Sequence, residues 1–261
     1  MDRSNIEKIA QTSEDKILLA KLWDKIQTGI RKNIPVCSCF LSPREQMLAN
    51  YLFGNVAGLT SYGGYEDAER KMLCYLPDYM PEDSYFNEDV PLVCLRANFF
   101  QEDTPTHRDF LGALIGCGIA RECIGDICIG ETSCNFFVTA EIAPWLLQNL
   151  LSAGRTRLSL QAIPLNEVQV PATSVKEIRD TVASLRLDSV ISSGFRISRA
   201  IAVQHILAGR AAINGLPCEK PDKTVDADTK ISVRGLGKIR LKEIGGQTKK
   251  GRISLIIERY L

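Results

Sequence analysis

Arg186-Leu187-Asp188, then Gly194-Phe195-Arg196-Ile197-Ser198-Arg199, then Ala200 through Ala208 to Gly209, decides the reading of the C-terminal third of the chain. Ala200 to Ala208 is a helical segment, with a start at Ser198 and a glycine stop at Gly209. Arg210-Ala-Ala-Ile-Asn214-Gly215 then gives a short strand and a tight-turn signal. A basic tail closes the chain with Arg234, Lys238, Arg240, Lys242, Lys249, Lys250 and Arg252. The order predicts a short helical pair set against a small basic sheet.

Charge points the same way. Residues 184–261 carry 15 Lys/Arg and 7 Asp/Glu, a net of +8, whereas residues 1–183 carry 17 and 24, a net of −7. The overall +1 therefore hides an asymmetry of the kind that marks a nucleic-acid surface on the basic part. Between Arg234 and Arg252 seven basic residues stand against one acid, Glu243, with five glycines interspersed. Glycine lets backbone approach a phosphate closely, and guanidinium binds phosphate oxygens in a two-point fork. A solvated Lys/Arg face is the alternative reading.

The remaining composition excludes several classes. The 261 residues, 45% apolar, suffice for one to three domains with buried cores. Met1-Asp2-Arg3 opens a charged helical pattern instead of a secretory signal, and Phe110 to Ile119 is too short to span a bilayer, so a soluble cytoplasmic protein with no membrane contact is expected. Nine cysteines without a Cys-x-x-Cys pair, and two histidines, supply a zinc site poorly; reduced thiols filling core positions are expected. His107-Arg108-Asp109 resembles a kinase catalytic loop but has none of its companion motifs, and Gly116-x-Gly118 lacks the setting of a dinucleotide site. No cofactor or metal is expected.

Apolar periodicity predicts a helix over Asn5–Arg31, with a break at Thr12-Ser13 and Ser13 as a possible cap. A strand over Val36–Leu41 follows, then a helix capped by Ser42 with Pro43 at its first position. A strand is predicted within Gly58–Tyr65 and a helix over Glu66–Leu76, closing an N-terminal α/β unit (1–80) before the polar stretch Pro77–Pro91. Strand Leu92–Phe99, helix Thr106–Cys117, strands Ile124–Ile129 and Asn135–Thr139, helix Pro144–Leu151 and strand Thr156–Ile163 then have the β-α-β-β-α-β order of a ferredoxin-like domain (81–172), a fold many RNA-recognition modules share and here a candidate RNA-binding domain. Phe136 and Phe137 must face opposite sides of their strand, in packing or in base stacking. Gln161–Ser174 has the texture of a linker, and the C-terminal domain runs over 175–261. The fold class is α+β.

The succession after Arg186 is similar to the RNA-binding domain first defined in small-subunit ribosomal protein S-four. Arg186-Leu187-Asp188 also resembles the motif of pseudouridine synthases, in which the aspartate is the nucleophile, but no buried apolar strand follows it here. Asp188 is therefore read as a helix-start residue that caps amides or holds Arg186 or Arg199. Most of the chain from Phe40 onward resembles the YlmH family, bacterial S-four-domain proteins encoded near cell-division genes. The resemblance rests on Phe40–Arg44 with Gly63–Lys71, on His107–Leu114 with Arg121 and Ile124–Ile127, and on the C-terminal run with Ser232–Gly235 and Thr248–Arg252.

That resemblance implies a non-catalytic, RNA-binding protein acting on the ribosome in quality control of stalled chains. Its implied partners are large-subunit ribosomal RNA, tRNA and other quality-control factors. The expected RNA site comprises Arg186, Arg196, Ser198, Arg199, Gln204, Arg210, Asn214 and Gly215, with Arg234, Lys238, Arg240, Lys249, Lys250 and Arg252 of the basic tail. An RNA-modifying enzyme and a cell-division adaptor are the rival readings.

Overall fold

The computed structural model describes residues 3–54, 56–170 and 175–260. The chain divides into two compact units, Met1–Pro171 and Ala172–Leu261. Both combine helices with antiparallel sheet, which is the α+β class expected. Among the described residues no helix is long and apolar enough to cross a membrane.

The first unit opens with α1 (Asn5–Ile9) and α2 (Ser13–Lys32). Thr12, one residue before the expected Ser13, caps α2: its hydroxyl accepts from the Asp15 N–H while the Asp15 carboxylate accepts from the Thr12 N–H. Strand β1 (Val36–Leu41) leads into α3 (Pro43–Phe53), where Ser42 and Glu45 form the same reciprocal box ahead of Pro43. Strands β2 (Leu59–Tyr62) and β3 (Lys71–Tyr75) complete a three-stranded sheet of order β1-β3-β2.

Strand β3 corrects the helix expected over Glu66–Leu76. Met72, Cys74 and Leu76 are buried at a spacing of two, the period of a strand. The polar residues before them form a loop instead, because Asp126 accepts from the backbone N–H groups of Glu69 (2.6 Å) and Arg70 (3.0 Å). A second correction concerns the thiols. Cys37 and Cys74 are register partners on β1 and β3 and are joined by a disulfide, while the other seven cysteines are free.

Helix α4 (Glu82–Glu88) lies inside the stretch read as polar boundary and is anchored by buried Tyr85. Then come β4 (Leu92–Asn98), α5 (His107–Gly116), β5 (Ile124–Ile129), β6 (Ser133–Thr139) and α6 (Ala143–Asn149). The single strand expected over Thr156–Ile163 is broken at Leu158. Short strands β7 (Ser152–Ala153) and β8 (Thr156–Arg157) form a hairpin, and β9 (Ser159–Ile163) pairs with β4. The antiparallel sheet has the order β5-β6-β4-β9.

Both faces of this sheet are covered. Leu95, Phe136 and Val138 pack with Phe110 and Leu114 of α5 and Leu146 of α6. On the other face Cys94 and Phe137 join Cys37, Phe40, Met72 and Cys74 of the first sheet. Phe136 and Phe137 therefore do point to opposite sides, and both are fully buried, which leaves neither ring free to stack on a base. Tyr65 stacks on Phe137 at 5.3 Å and donates its hydroxyl to Asp126 at 2.8 Å. Arg70 stitches the same seam, donating to the carbonyls of Phe40, Arg121 and Ile124.

The second unit comprises β10 (Val175–Val182), α7 (Leu187–Phe195), α8 (Arg199–Leu207), β11 (Ala211–Ile213), β12 (Leu216–Pro217), β13 (Thr229–Val233), β14 (Gly237–Gln247) and β15 (Ile253–Tyr260). Its sheet order is β10-β15-β14-β13-β11-β12. Leu187, Val190 and Ile191 of α7 and Ala202 and Ile206 of α8 share a core with Ile239, Leu241, Leu255 and Ile257. Gly194 allows the close approach of α7 to β14, since a Cβ there would stand 2.6 Å from Ile239 Cδ1. Of the Gln161–Ser174 stretch read as a linker, residues 161–163 belong to β9 and residues 171–174 lie outside the described residues.

Candidate nucleic-acid interface

Asp188 organises the start of α7. Its side chain does not cap the helix; the first amides are met by the loop between β12 and β13, with the Leu187 N–H donating to Lys223 O and the Asp188 N–H to Pro221 O. The carboxylate, 2% exposed, instead receives two guanidinium groups. Arg186 donates Nε to Oδ1 (3.3 Å) and a terminal nitrogen to Oδ2 (3.1 Å), and Arg199 donates Nε to Oδ2 (3.1 Å) and a terminal nitrogen to Oδ1 (3.3 Å). Burial works to raise the carboxyl pKa, but the hydrogen bonds and charges of the two arginines outweigh it and hold Asp188 below the ordinary range. The arginine side chains remain 39% and 55% exposed. A buried anion thus fixes two cations at the surface, where part of each guanidinium fork stays open.

The neighbouring candidates join this pair in part. Arg196, exposed, ends α7 in the left-handed conformation that turns the chain into α8. Ser198 caps α8, accepting from the Ile201 N–H at 3.3 Å, and Gln204 is exposed one turn further on. Arg210 follows α8 and adjoins Arg234, whose N–H donates to the Arg210 carbonyl at 2.9 Å. The two flank a shallow groove of about 410 Å³ lined also by Gly209, Ser232 and Gly235. Asn214 and Gly215 shape the β11–β12 turn with φ of 47° and 84°, and the Asn214 amide oxygen is engaged by the Lys230 N–H.

The rest of the tail divides. Arg240 is paired with Asp228 at 2.7 Å and with Glu258 at 3.7 Å, and Lys242 with Glu258 at 2.7 Å. Lys238 lies over the Tyr260 ring at 5.8 Å, and Arg252 donates to the Thr181 hydroxyl and carbonyl. Lys249 and Lys250 sit exposed at the tip between β14 and β15. Eleven residues separate Lys238 from Lys249, which puts that tip roughly 30 Å along the hairpin. Nine of the fourteen candidates therefore form a cluster around α7 and α8, a groove edge at Arg210 and Arg234, and a lysine tip at the far end of the hairpin, while Asn214 and Gly215 shape a turn and Lys238, Arg240 and Arg252 are engaged within the sheet.

Comparison with known proteins bears on this arrangement. A family described as "Putative RNA-binding domain in YlmH" matches residues 96–167. The ribosome-associated protein quality control protein P2 of Bacillus subtilis (strain 168) is 37% identical over 222 residues, covering 84% of this chain and 85% of that protein. This chain belongs to the YlmH family. A solved structure, the cell division protein ylmH of Streptococcus pneumoniae, aligns with a TM-score of 0.48 at 25% identity, covering 60% of this chain and 96% of that one.

Within the matched stretch the pair weighed for base stacking, Phe136 and Phe137, is buried. Arg108, Arg155 and Arg157 lie within the same stretch and are exposed. Their charge is diluted in the net-acidic part of the chain, and the one local signal was the Arg155-Thr156-Arg157 spacing.

Proposed function

We propose that this YlmH-family chain is a non-catalytic RNA-binding protein of ribosome-associated quality control, acting in the cytoplasm on stalled complexes and touching large-subunit ribosomal RNA and tRNA. The observation that carries the reading is the buried Asp188 carboxylate with Arg186 and Arg199 spread from it at the start of the helical pair. Held guanidiniums lose less freedom when they meet a phosphate, and the N-terminus of α8 beside them favours an anion. Arg196, Arg210 and Arg234 extend the surface, and Lys249 and Lys250 offer a second, distant hold. Phosphate contacts of this kind set register and orientation on structured RNA.

The domain reading goes with it. The order β9-β4-β6-β5 agrees with a ferredoxin-like domain at 81–172, next to an N-terminal unit at 1–80; the pair α7–α8 followed by the antiparallel sheet agrees with an S-four-type domain at 175–261. The relative named for ribosome-associated quality control supports the cellular setting. Sedimentation of tagged chain through a gradient, followed by sequencing of crosslinked RNA, tests the whole. Large-subunit ribosomal RNA and tRNA reads enriched over total RNA are expected; recovery in ribosome-free fractions with protein partners and no RNA contradicts the reading.

A further inference from the structure

In the YlmH-matched stretch, residues 96–167, α5 and α6 cover one face of the sheet, and on the other Phe137 packs against the first sheet. Neither Phe136 nor Phe137 is open to a base, which leaves the exposed polar and charged side chains of this stretch to meet RNA. Its five arginines separate into two groups. Arg96 donates Nε to Asn135 Oδ1 at 2.9 Å, and Arg121 donates to the Ile124 carbonyl at 2.6 Å. Arg108, Arg155 and Arg157 are exposed and have no ion pair or side-chain hydrogen bond among the described residues.

The fold gathers these three at one corner. Arg155 sits at the turn of the β7–β8 hairpin and Arg157 on its second strand. The hairpin packs on the start of α5, where a Cβ on Gly154 would stand 2.8 Å from Asp109 Oδ1, next to Arg108. The Asp109 carboxylate is already engaged by the Thr106 N–H and hydroxyl, each at 2.7 Å. Gly112 and Gly116 continue the helix face of Arg108 at spacings of four, so no side chain stands between that backbone and a large ligand.

We propose that the corner formed by Arg108, Arg155 and Arg157 is a second RNA-binding site, one that takes the phosphodiester backbone of structured RNA. It deepens the RNA-binding reading above and rests on it. The shared ligand is phosphate, which ribosomal RNA and tRNA both present. Three exposed guanidiniums without acidic partners are the composition that phosphate backbone attracts through counterion release.

The test uses the full chain in two forms: Arg108→Gln with Arg155→Gln and Arg157→Gln, and Arg186→Ala with Arg199→Ala. Binding is measured against purified large ribosomal subunits and, separately, against purified tRNA, over a salt titration, with thermal melting alongside. The triple variant is expected to melt like the wild type, to bind about tenfold or more weakly in at least one arm, and to lower the salt slope there by about two to three units. The arm that responds identifies the RNA. Wild-type affinity and slope for the triple variant in both arms, with binding lost in the double variant, overturns the second site and leaves the α7–α8 reading standing. Wild-type binding by both variants overturns both. Should the glutamine triple melt low, the matching Arg→Lys triple, which keeps the charge, is expected to restore the melt and the binding together; a restored melt without restored binding overturns the site.

Discussion

Arg199 opens α8 eleven residues after Asp188, yet its guanidinium lies in a two-point fork on that buried carboxylate, with Nε 3.1 Å from Oδ2. The same carboxylate holds Arg186, so one acid fixes both cations. Asp188→Asn should loosen both guanidiniums together. The expected outcome is weaker ribosome co-sedimentation with a lowered melting temperature, because a buried carboxylate that anchors two partners is lost. Tritium release from labelled uridine in cellular RNA is expected to be absent for wild type and variant alike, which checks the non-catalytic reading directly.

Arg196 and Arg240 should separate binding from scaffolding. Arg240 is already paired with Asp228 and Glu258, whereas Arg196 has no ion-pair partner among the described residues. Arg196→Ala is expected to weaken RNA binding by about 1–3 kcal/mol and to lower the salt slope by about one unit, with unchanged melting. Arg240→Ala is expected to lower the melt and leave the slope unchanged. Salt-dependent binding curves and melts of the two variants check both statements.

Gly64 should tolerate no side chain. Its φ is +97°, and a Cβ there would run into the Phe137 ring, at the seam between the two sheets of the first unit. Gly64→Ala is therefore expected to cost more than about 1 kcal/mol, through left-handed strain and displaced packing together. Phe137→Ala, which empties the same seam, is expected to cost about 3–5 kcal/mol. Denaturant unfolding of the full chain measures both.

Asp15 gives a pH signature. The Arg44 hydrogen bonds lower its carboxyl from 3.8 to about 2 against the opposing effect of burial, helped by the N–H groups of Gln11 and Thr12. A folded-state pKa below the unfolded one means that the carboxylate adds stability above the unfolded value and loses it as pH falls through the folded one. Melting temperature should therefore fall between about pH 4 and pH 2. Asp15→Asn should start lower at neutral pH and show a shallower fall over that range.

Much of this fold is legible in the residues. Ser42-Pro43-x-Glu45 states a helix start chemically, and the structure has that capping box. Ser198, Gly209 and Asn214-Gly215 likewise mark α8 and the β11–β12 turn by side-chain and φ requirements that act locally. The Glu66–Leu76 stretch is not legible as loop and strand because its decisive partner, Asp126, lies more than fifty residues away and binds backbone groups that carry no sequence signal. The Cys37–Cys74 disulfide depends on the register of β1 and β3, which spacing does not reveal. At the candidate site the basic residues were visible, but not which of them acids already occupy: Arg240 and Glu258 meet only through the pairing of β14 with β15.

In the proposed function Arg186 and Arg199 bind RNA phosphate. Ribosome co-sedimentation and thermal melting of Arg199→Ala and Arg186→Ala test it most directly. Lost co-sedimentation at temperatures where both variants stay folded is expected, at a cost of about 1–3 kcal/mol for each guanidinium, with a melt lowered only by the partner withdrawn from Asp188. A lowered melt with retained co-sedimentation would contradict it, making both arginines scaffold for Asp188 and moving the RNA contact to Lys249, Lys250 and Arg252.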